Sequence, residues 1–398
     1  MPWRERSAVQ QREELVALIR AGAGSVSELS RRFGVSRQTA HKWLARHARQ
    51  GVAGLADRSR RPRASPRRCG ADLEAAVLAV RAEHPAWGGR KIRARLLALG
   101  RPDAPAASTV TAVLRRHGLI TPEASARATP WRRFERPEPN DLWQVDFKGP
   151  APTRRGPCHP LTVLDDHSRF SVGLFACADQ RLSTVRALLE SCFRRYGLPW
   201  GLLADNGPPW GGGCGPWTRL EVWLLRLGVP VSHGRPRHPQ TQGKDERFHR
   251  TLGLELLSRC DLRDLAHAQA SMDRWRDVYN LERPHEALGL GVPAARYRPS
   301  PRAMPARAPE LEPAPGDATR RVREGGYVRW SGRRWYLGAA FDGEPVGLRE
   351  AAGGATEVRL GPYLIAWLDP ATGGIDHAPR GARGVNDVSE HPSTMSQD

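Results

Sequence analysis

The sequence is poor in lysine. Of 62 basic residues only Lys42, Lys91, Lys148 and Lys244 are lysine, so 58 are arginine. Paired cysteines are missing too. The six cysteines, at 69, 158, 177, 192, 214 and 260, form no CxxC, which argues against a disulfide framework or a cysteine zinc site and suits a reducing compartment. No apolar run approaches the ~20 residues that a membrane span needs. The opening MPWRERSAVQQREE has no apolar stretch of a signal peptide. A soluble, cytoplasmic, nucleoid-associated protein is the expectation. Acids are also in the minority. With 42 Asp and Glu the net charge is +20 and the pI about 10.9. An excess of this size, carried by arginine, points to a nucleic-acid partner. The plain alternative is a solvated basic surface from an Arg-rich coding bias.

What is present divides the chain. At 398 residues it exceeds one ordinary domain. Residues 1–70 hold 16 Lys and Arg against 5 Asp and Glu, over half of the excess charge. Pro- and Arg-rich stretches at 58–68, 121–140 and 298–317 read as linkers or arms. The expected domains are 1–60, 68–125, 139–300 and 318–370, followed by a patternless, disordered tail over 371–398.

In the first domain, QREELVALIRAG puts Leu15, Leu18 and Ile19 on one helical face. SVSELSRRFGVSRQTAHKWL then reads as helix, tight turn at Gly34, helix, with Ser27 and Ser36 as N-caps. Thr39, Trp43 and Leu44 face inward. Arg37, Gln38, His41 and Lys42 are left for a DNA groove. An ordinary helical hairpin is the competing reading. Residues 72–119 repeat the theme as three helices, the last capped by Ser108, and suggest a second helix-turn-helix or winged-helix unit.

From 141 the pattern changes to three strands, then helix, strand, helix, strand and two further helices, which suggests a mixed sheet flanked by helices. Asp146 interrupts the apolar strand WQVDF, where a charge is costly unless paired or metal-bound. Asp205 ends a short buried strand in LLADNG, also a common turn sequence. Asp165 and Asp166 read as turn acids. Short strands with Gly turns over 318–369 are compatible with a small β-barrel-like domain.

Three motifs, WQVDFKG, LLADNGPP and HPQTQGKDERFHRTL, resemble the catalytic core of integrase-type transposases of bacterial insertion sequences, in the DDE superfamily. ARHARQGVAGLADRSRRP, YNLERPHEALG and the 322–350 stretch resemble their flanking segments, so the resemblance spans nearly the whole chain. It implies a multidomain α+β protein: helical helix-turn-helix domains, a ribonuclease-H-like mixed α/β core and a small C-terminal β domain. It also implies that Asp146, Asp205 and Glu246 are catalytic and metal-binding. Phosphoryl transfer uses two divalent ions held by hard oxygen donors, so two Mg²⁺ or Mn²⁺ ions fit three carboxylates.

The expected reaction is hydrolysis at an element end, freeing a 3′-OH, and direct attack of that hydroxyl on target DNA. No covalent protein intermediate is expected, because no Ser, Tyr or His nucleophile arrangement is recognisable. Double-stranded DNA, both element ends and target, is the expected partner, and the family implies a homo-oligomer on DNA. Lys148, Lys244, His249 and Arg250 are expected to hold phosphates. Asn206 and His238 are further candidates near the site. Within GKDER the two acids differ by ~100° on a helix; Glu246 is expected to face the other carboxylates and Asp245 to point aside, into solvent or an ion pair. A catalytically inactive helix-turn-helix regulator, or a nuclease that only hydrolyses, are the competing readings.

Overall fold

The computed structural model describes residues 7–58, 69–120, 135–205, 207, 209–211, 217–233, 243–351 and 353–378. The stretches 59–68 and 121–134, together with Asn206, His238 and 379–398, lie outside the described residues. The chain divides into two compact units, Met1–Arg68 and Cys69–Asp398.

The first unit is three helices, α1 (Ala8–Arg20), α2 (Val26–Arg32) and α3 (Arg37–Gln50). Leu15, Leu29 and Ala40 form one buried cluster, and Val16, Trp43 and Leu55 another. The cap of α2 is Ser25 rather than Ser27. Ser25 and Glu28 form a reciprocal box: the Ser25 amide donates to Glu28 Oε2 at 2.9 Å and the Glu28 amide to Ser25 Oγ at 3.2 Å. Ser36 caps α3 by accepting from the Thr39 amide. Gly34, at φ 64°, makes the turn between α2 and α3.

The second unit begins with α4 (Ala71–Glu83), α5 (Gly89–Ala98) and α6 (Ala107–Arg116) around Val77, Trp87, Ile92, Leu96, Val110 and Leu114. A Cβ on Gly89 would lie 2.4 Å from Thr111 Oγ1, so only glycine lets α5 start this close to α6. Ala106, not Ser108, sits at the N-cap of α6.

The central sheet contains β1 (Trp143–Phe147), β2 (Ala151–Thr153), β3 (Gly156–Asp165), β4 (Ser171–Cys177), β5 (Leu202–Ala204) and β6 (Val231–His233). Its order is β2-β3-β1-β5-β6, with β4 also on β3. β1, β3 and β4 pair antiparallel, whereas β1–β5 and β5–β6 are parallel. Helices α7 (Leu182–Tyr196) and α8 (Arg219–Arg226) cover the face of Trp143, Val145, Leu161 and Val163. Helices α9 (Gly243–Leu252) and α10 (Leu265–Leu281) cover the other, with Phe248, Leu252, Met272 and Trp275 packed against Leu164 and Leu174. Strand alternation therefore turns Gln144 and Asp146 towards α9.

The remaining strands are β7 (Ala318–Arg321), β8 (Tyr327–Trp330), β9 (Arg333–Tyr336), β10 (Pro345–Glu350), β11 (Thr356–Leu360), β12 (Tyr363–Asp369) and β13 (Gly374–His377). They form an open sheet, β13-β12-β11-β10-β7, and a separate β8–β9 hairpin. Among the described residues β13 and β7 do not pair, so no closed barrel forms. Val222 and Leu225 of α8 enter this second core, while Leu220, Trp223 and Leu224 enter the first. Packing on both sides buries every residue of α8 from Leu220 to Leu225.

Residues 371–378 are not part of a patternless tail. Asp369 accepts from the Ala371 amide and the Thr372 hydroxyl to make a turn, and β13 pairs with β12 from Ala366 to Asp369. The neighbouring strand supplies the ladder that Gly-Ile-Asp-His does not advertise. No helix among the described residues is long and apolar enough to cross a membrane.

Candidate active site

β1 and β5 pair in parallel at Trp143–Leu202 and Gln144–Leu203. The same register, carried two residues on, sets Asp146 level with Asp205 where β5 has just ended. Burial and then the Asp205 charge push the Asp146 carboxyl from 3.8 up to about 6. Asp205 makes a turn, accepting from the Gly207 amide at 3.1 Å. Its backbone oxygen faces His233 Nδ1 at 2.8 Å, and His233 Nε2 faces Glu221 Oε1 of α8 at 2.9 Å. Both ring nitrogens thus meet oxygens, and the loop that carries Asp205 is tied to β6 and α8.

Thr162 pairs with Asp146 across the β1–β3 ladder, and its hydroxyl donates to the Asp146 carbonyl at 3.0 Å. With that hydrogen committed, Thr162 Oγ1 accepts from His249 Nε2 at 2.9 Å. The other nitrogen, Nδ1, is left bare 3.8 Å from Asp146 Oδ2. Burial, and then Lys148, lower His249 to about 4, which keeps the ring neutral.

The two acids of GKDER do separate, though not as their spacing suggested. Asp245 joins Phe248 and Leu252 on the buried stripe of α9 and is 2% exposed. Its Oδ1 has no hydrogen-bond partner among the described residues. Burial, followed by the charges of Asp146 and Asp166, pushes its carboxyl well above the usual range. It is not a solvent or ion-pair residue. Glu246 is exposed, on the adjoining stripe with His249, Arg250 and Gly253. That stripe carries His249 to Asp146 and places Gly253 beside Lys148 Cε.

Models of known domain families match successive segments of the chain. The Integrase core domain models match residues 136–239 and 227–293. A Helix-turn-helix domain model matches 11–63 and a Homeodomain-like domain model 39–114. The model for the C-terminal domain of IS481 family transposases matches 317–378. The Insertion element IS407 uncharacterized 31.7 kDa protein of Burkholderia multivorans is 32% identical over 167 residues, 40% of this chain and 57% of its own. The Insertion element IS476 uncharacterized 39.2 kDa protein of Xanthomonas euvesicatoria is 27% identical over 288 residues, 67% of this chain and 78% of its own. The chain carries an integrase core, helix-turn-helix domains and an IS481-type transposase C-terminal domain, and so resembles the transposases of insertion sequences. A solved simian T-cell lymphotropic virus intasome, in complex with PP2A regulatory subunit B56 gamma, overlaps with a TM-score of 0.36 at 15% identity, over 72% of this chain and 97% of that one.

Of the basic residues expected to hold DNA near the candidate site, two have other duties. Lys244 Nζ pairs with Asp166 Oδ1 at 2.5 Å, and Asp166 also accepts from Gln144 Nε2 at 2.7 Å and the Arg136 amide at 2.8 Å. Lys244 therefore fastens the start of α9 to the β3–β4 turn instead of facing a phosphate. His249 is held by Thr162 against Asp146, inside the acidic site. Lys148 is half-buried and Arg250 exposed. On α3, Arg37, Gln38, His41 and Lys42 are all exposed, and Trp43 beneath them is buried under the cations of Arg12, Lys42 and Arg46. Sequence reasoning missed Thr162, His233 and Glu221. Thr162 becomes visible only once β3 is placed beside β1, and the other two only once β6 and α8 flank Asp205.

Proposed function

We propose that this transposase cuts and joins DNA ends with a ribonuclease-H-like core in which Asp146, Asp205 and Glu246 are catalytic and hold divalent cations. The observation that carries the reading is the pair Asp146 and Asp205, level across the β1–β5 register, with the Asp205 charge felt at Asp146. Two carboxylates so placed repel each other, and a dication between them turns that repulsion into binding. The donors are all hard oxygens, which fits Mg²⁺ or Mn²⁺. Bound there, two such ions supply activation of the attacking oxygen and stabilisation of the leaving one.

The chain's own residues do the rest. Asp146 rides a strand fixed by its ladder to β3, and Asp205 a loop tied by His233. Glu246, on the exposed stripe of α9 whose start Lys244 locks to Asp166, is the proposed third ligand. His249, neutral and bonded to Thr162, packs beside Asp146 without adding a charge. Lys148 and Arg250 line the approach for the DNA backbone. Water attacks one phosphodiester at the element end and frees a 3′-OH. That hydroxyl then attacks a target phosphodiester, one bond forming as another breaks. The partners are double-stranded DNA, terminal repeats and target, with the chain acting as a homo-oligomer on the two ends.

The test is incubation of the purified chain with labelled duplexes made from the DNA that flanks its gene. Cut and joined products should form with Mg²⁺ and vanish with EDTA. An Asp205→Asn chain should retain end binding and make neither product. Joining by Asp205→Asn at the normal rate would overturn the reading.

A further inference from the structure

The C-terminal ends of α4 and α10 meet beside a cleft of roughly 290 Å³, lined by Glu83, His84 and Trp87 on one side and Glu255, Arg259 and Trp275 on the other. His84 is only 9% exposed. Its ring stacks on Trp87, centroids 3.7 Å apart and planes within 11°, which fixes the direction of its nitrogens. Nε2 is buried and has no hydrogen-bond partner among the described residues. A buried polar atom left this way carries a desolvation penalty that some ligand normally relieves.

The surroundings indicate which ligand. Nε2 is 3.9 Å from Glu83 Oε1, and one ring nitrogen of His84, one carboxylate oxygen of Glu83 and one of Glu282 lie within 4.8 Å of one another. His84 closes α4 and Glu282 closes α10, so the negative ends of two helix dipoles add to the two carboxylates. Arg95 of α5 pairs with Oε2 of Glu282 and offsets part of that charge. Nothing of this site belongs to the carboxylate cluster on β1, β5 and α9.

We propose that Glu83, His84 and Glu282 bind a divalent transition-metal cation of the Zn²⁺ class, which clips the 71–116 helical unit to the catalytic core. One imidazole and two carboxylates suit a borderline cation, whereas Mg²⁺ prefers oxygen alone. Ligand distances of about 2.0–2.2 Å require the three atoms to close by roughly an ångström. The side chain of Glu83 is exposed and free to supply that movement. Burial lowers His84, so the ring is neutral and its lone pair available near neutral pH.

The experiment uses the full chain carrying Asp146→Asn and Asp205→Asn, which disables the other candidate site, in excess Mg²⁺. Co²⁺ is the probe, read by its visible absorption, with Zn²⁺ as competitor. The expected result is one Co²⁺ equivalent displaced by Zn²⁺, and a thermal midpoint that rises with Zn²⁺. His84→Ala should lose the Co²⁺ spectrum. Glu83→Gln and Glu282→Gln, at more exposed positions, should each weaken binding at least ~10-fold. No Co²⁺ absorption, or binding unchanged in the two Gln variants, would overturn the proposal. Either outcome leaves the reading of Asp146 and Asp205 untouched.

Discussion

Asp146 on β1 stands level with Asp205 just past the end of the parallel strand β5, and burial together with the Asp205 charge raises the Asp146 carboxyl to about 6. Because that value lies above the ordinary 3.8, the folded chain binds this proton more tightly than the unfolded chain does. Without divalent ions, stability therefore rises as pH falls through 6 towards 4 and is lost as pH rises. At pH 8, Asp146→Asn should stabilise the metal-free protein by about 1–3 kcal/mol, and at pH 4 the gain should vanish. Denaturant titration of both proteins at the two pH values measures it. A variant less stable than the parent at pH 8 contradicts the placement.

Lys244 and Arg250 lie on one helix and should behave differently. Removing Lys244 leaves Asp166 buried without its countercharge. Lys244→Ala should thus lower stability by about 2–4 kcal/mol and barely change the salt dependence of DNA binding. Arg250→Ala should do the reverse, reducing the salt slope by about one phosphate's worth with little effect on unfolding. Equal salt slopes for Arg250→Ala and the parent would remove Arg250 from the DNA path.

The exposed face of α3 predicts a third contrast. Gln38→Ala should relax discrimination between terminal-repeat and random DNA by about 1–3 kcal/mol, whereas Lys42→Ala should weaken both alike. Titrations on the two DNAs at one salt concentration distinguish them. Uniform weakening by Gln38→Ala would mean that it reads no base.

His249 stands between Thr162 and Asp146 without adding a charge. His249→Ala frees the Asp146 side chain to rotate and should slow end joining about 10–100-fold while end binding stays normal. His249→Asn, which keeps a donor towards Thr162, should recover part of the rate. Joining unaffected in His249→Ala would make the contact incidental.

Much of this was legible in the sequence, for identifiable reasons. Asp146 announced itself because a charge inside WQVDF has few neutral explanations. The α2–α3 turn was readable from Gly34 and Ser36, whose roles are local. Misreadings came where tertiary contact decides. Ser25 outcompeted Ser27 because Glu28 lies at the distance that closes a capping box. Helical spacing could separate Asp245 from Glu246 but could not say which faced inward; the stripe of Phe248 and Leu252 settles the rotation and buries Asp245. Lys244 looked like a phosphate ligand only while Asp166, 78 residues earlier in the chain, was out of view. Strand β13 was hidden for the same reason, its ladder being supplied by β12.

Glu246 and Asp245 compete for the place of the third carboxylate, and strand transfer decides between them. Strand transfer of a pre-cut 3′-OH end into plasmid DNA, in Mg²⁺, should be compared for the parent, Glu246→Gln and Asp245→Asn, with end binding measured in parallel. A triad of Asp146, Asp205 and Glu246 predicts that Glu246→Gln binds ends normally and loses joining by about three orders of magnitude or more, while Asp245→Asn, isosteric and already held above the usual carboxylate range, still joins. Joining retained by Glu246→Gln and abolished by Asp245→Asn would contradict it and move the third ligand to the buried acid.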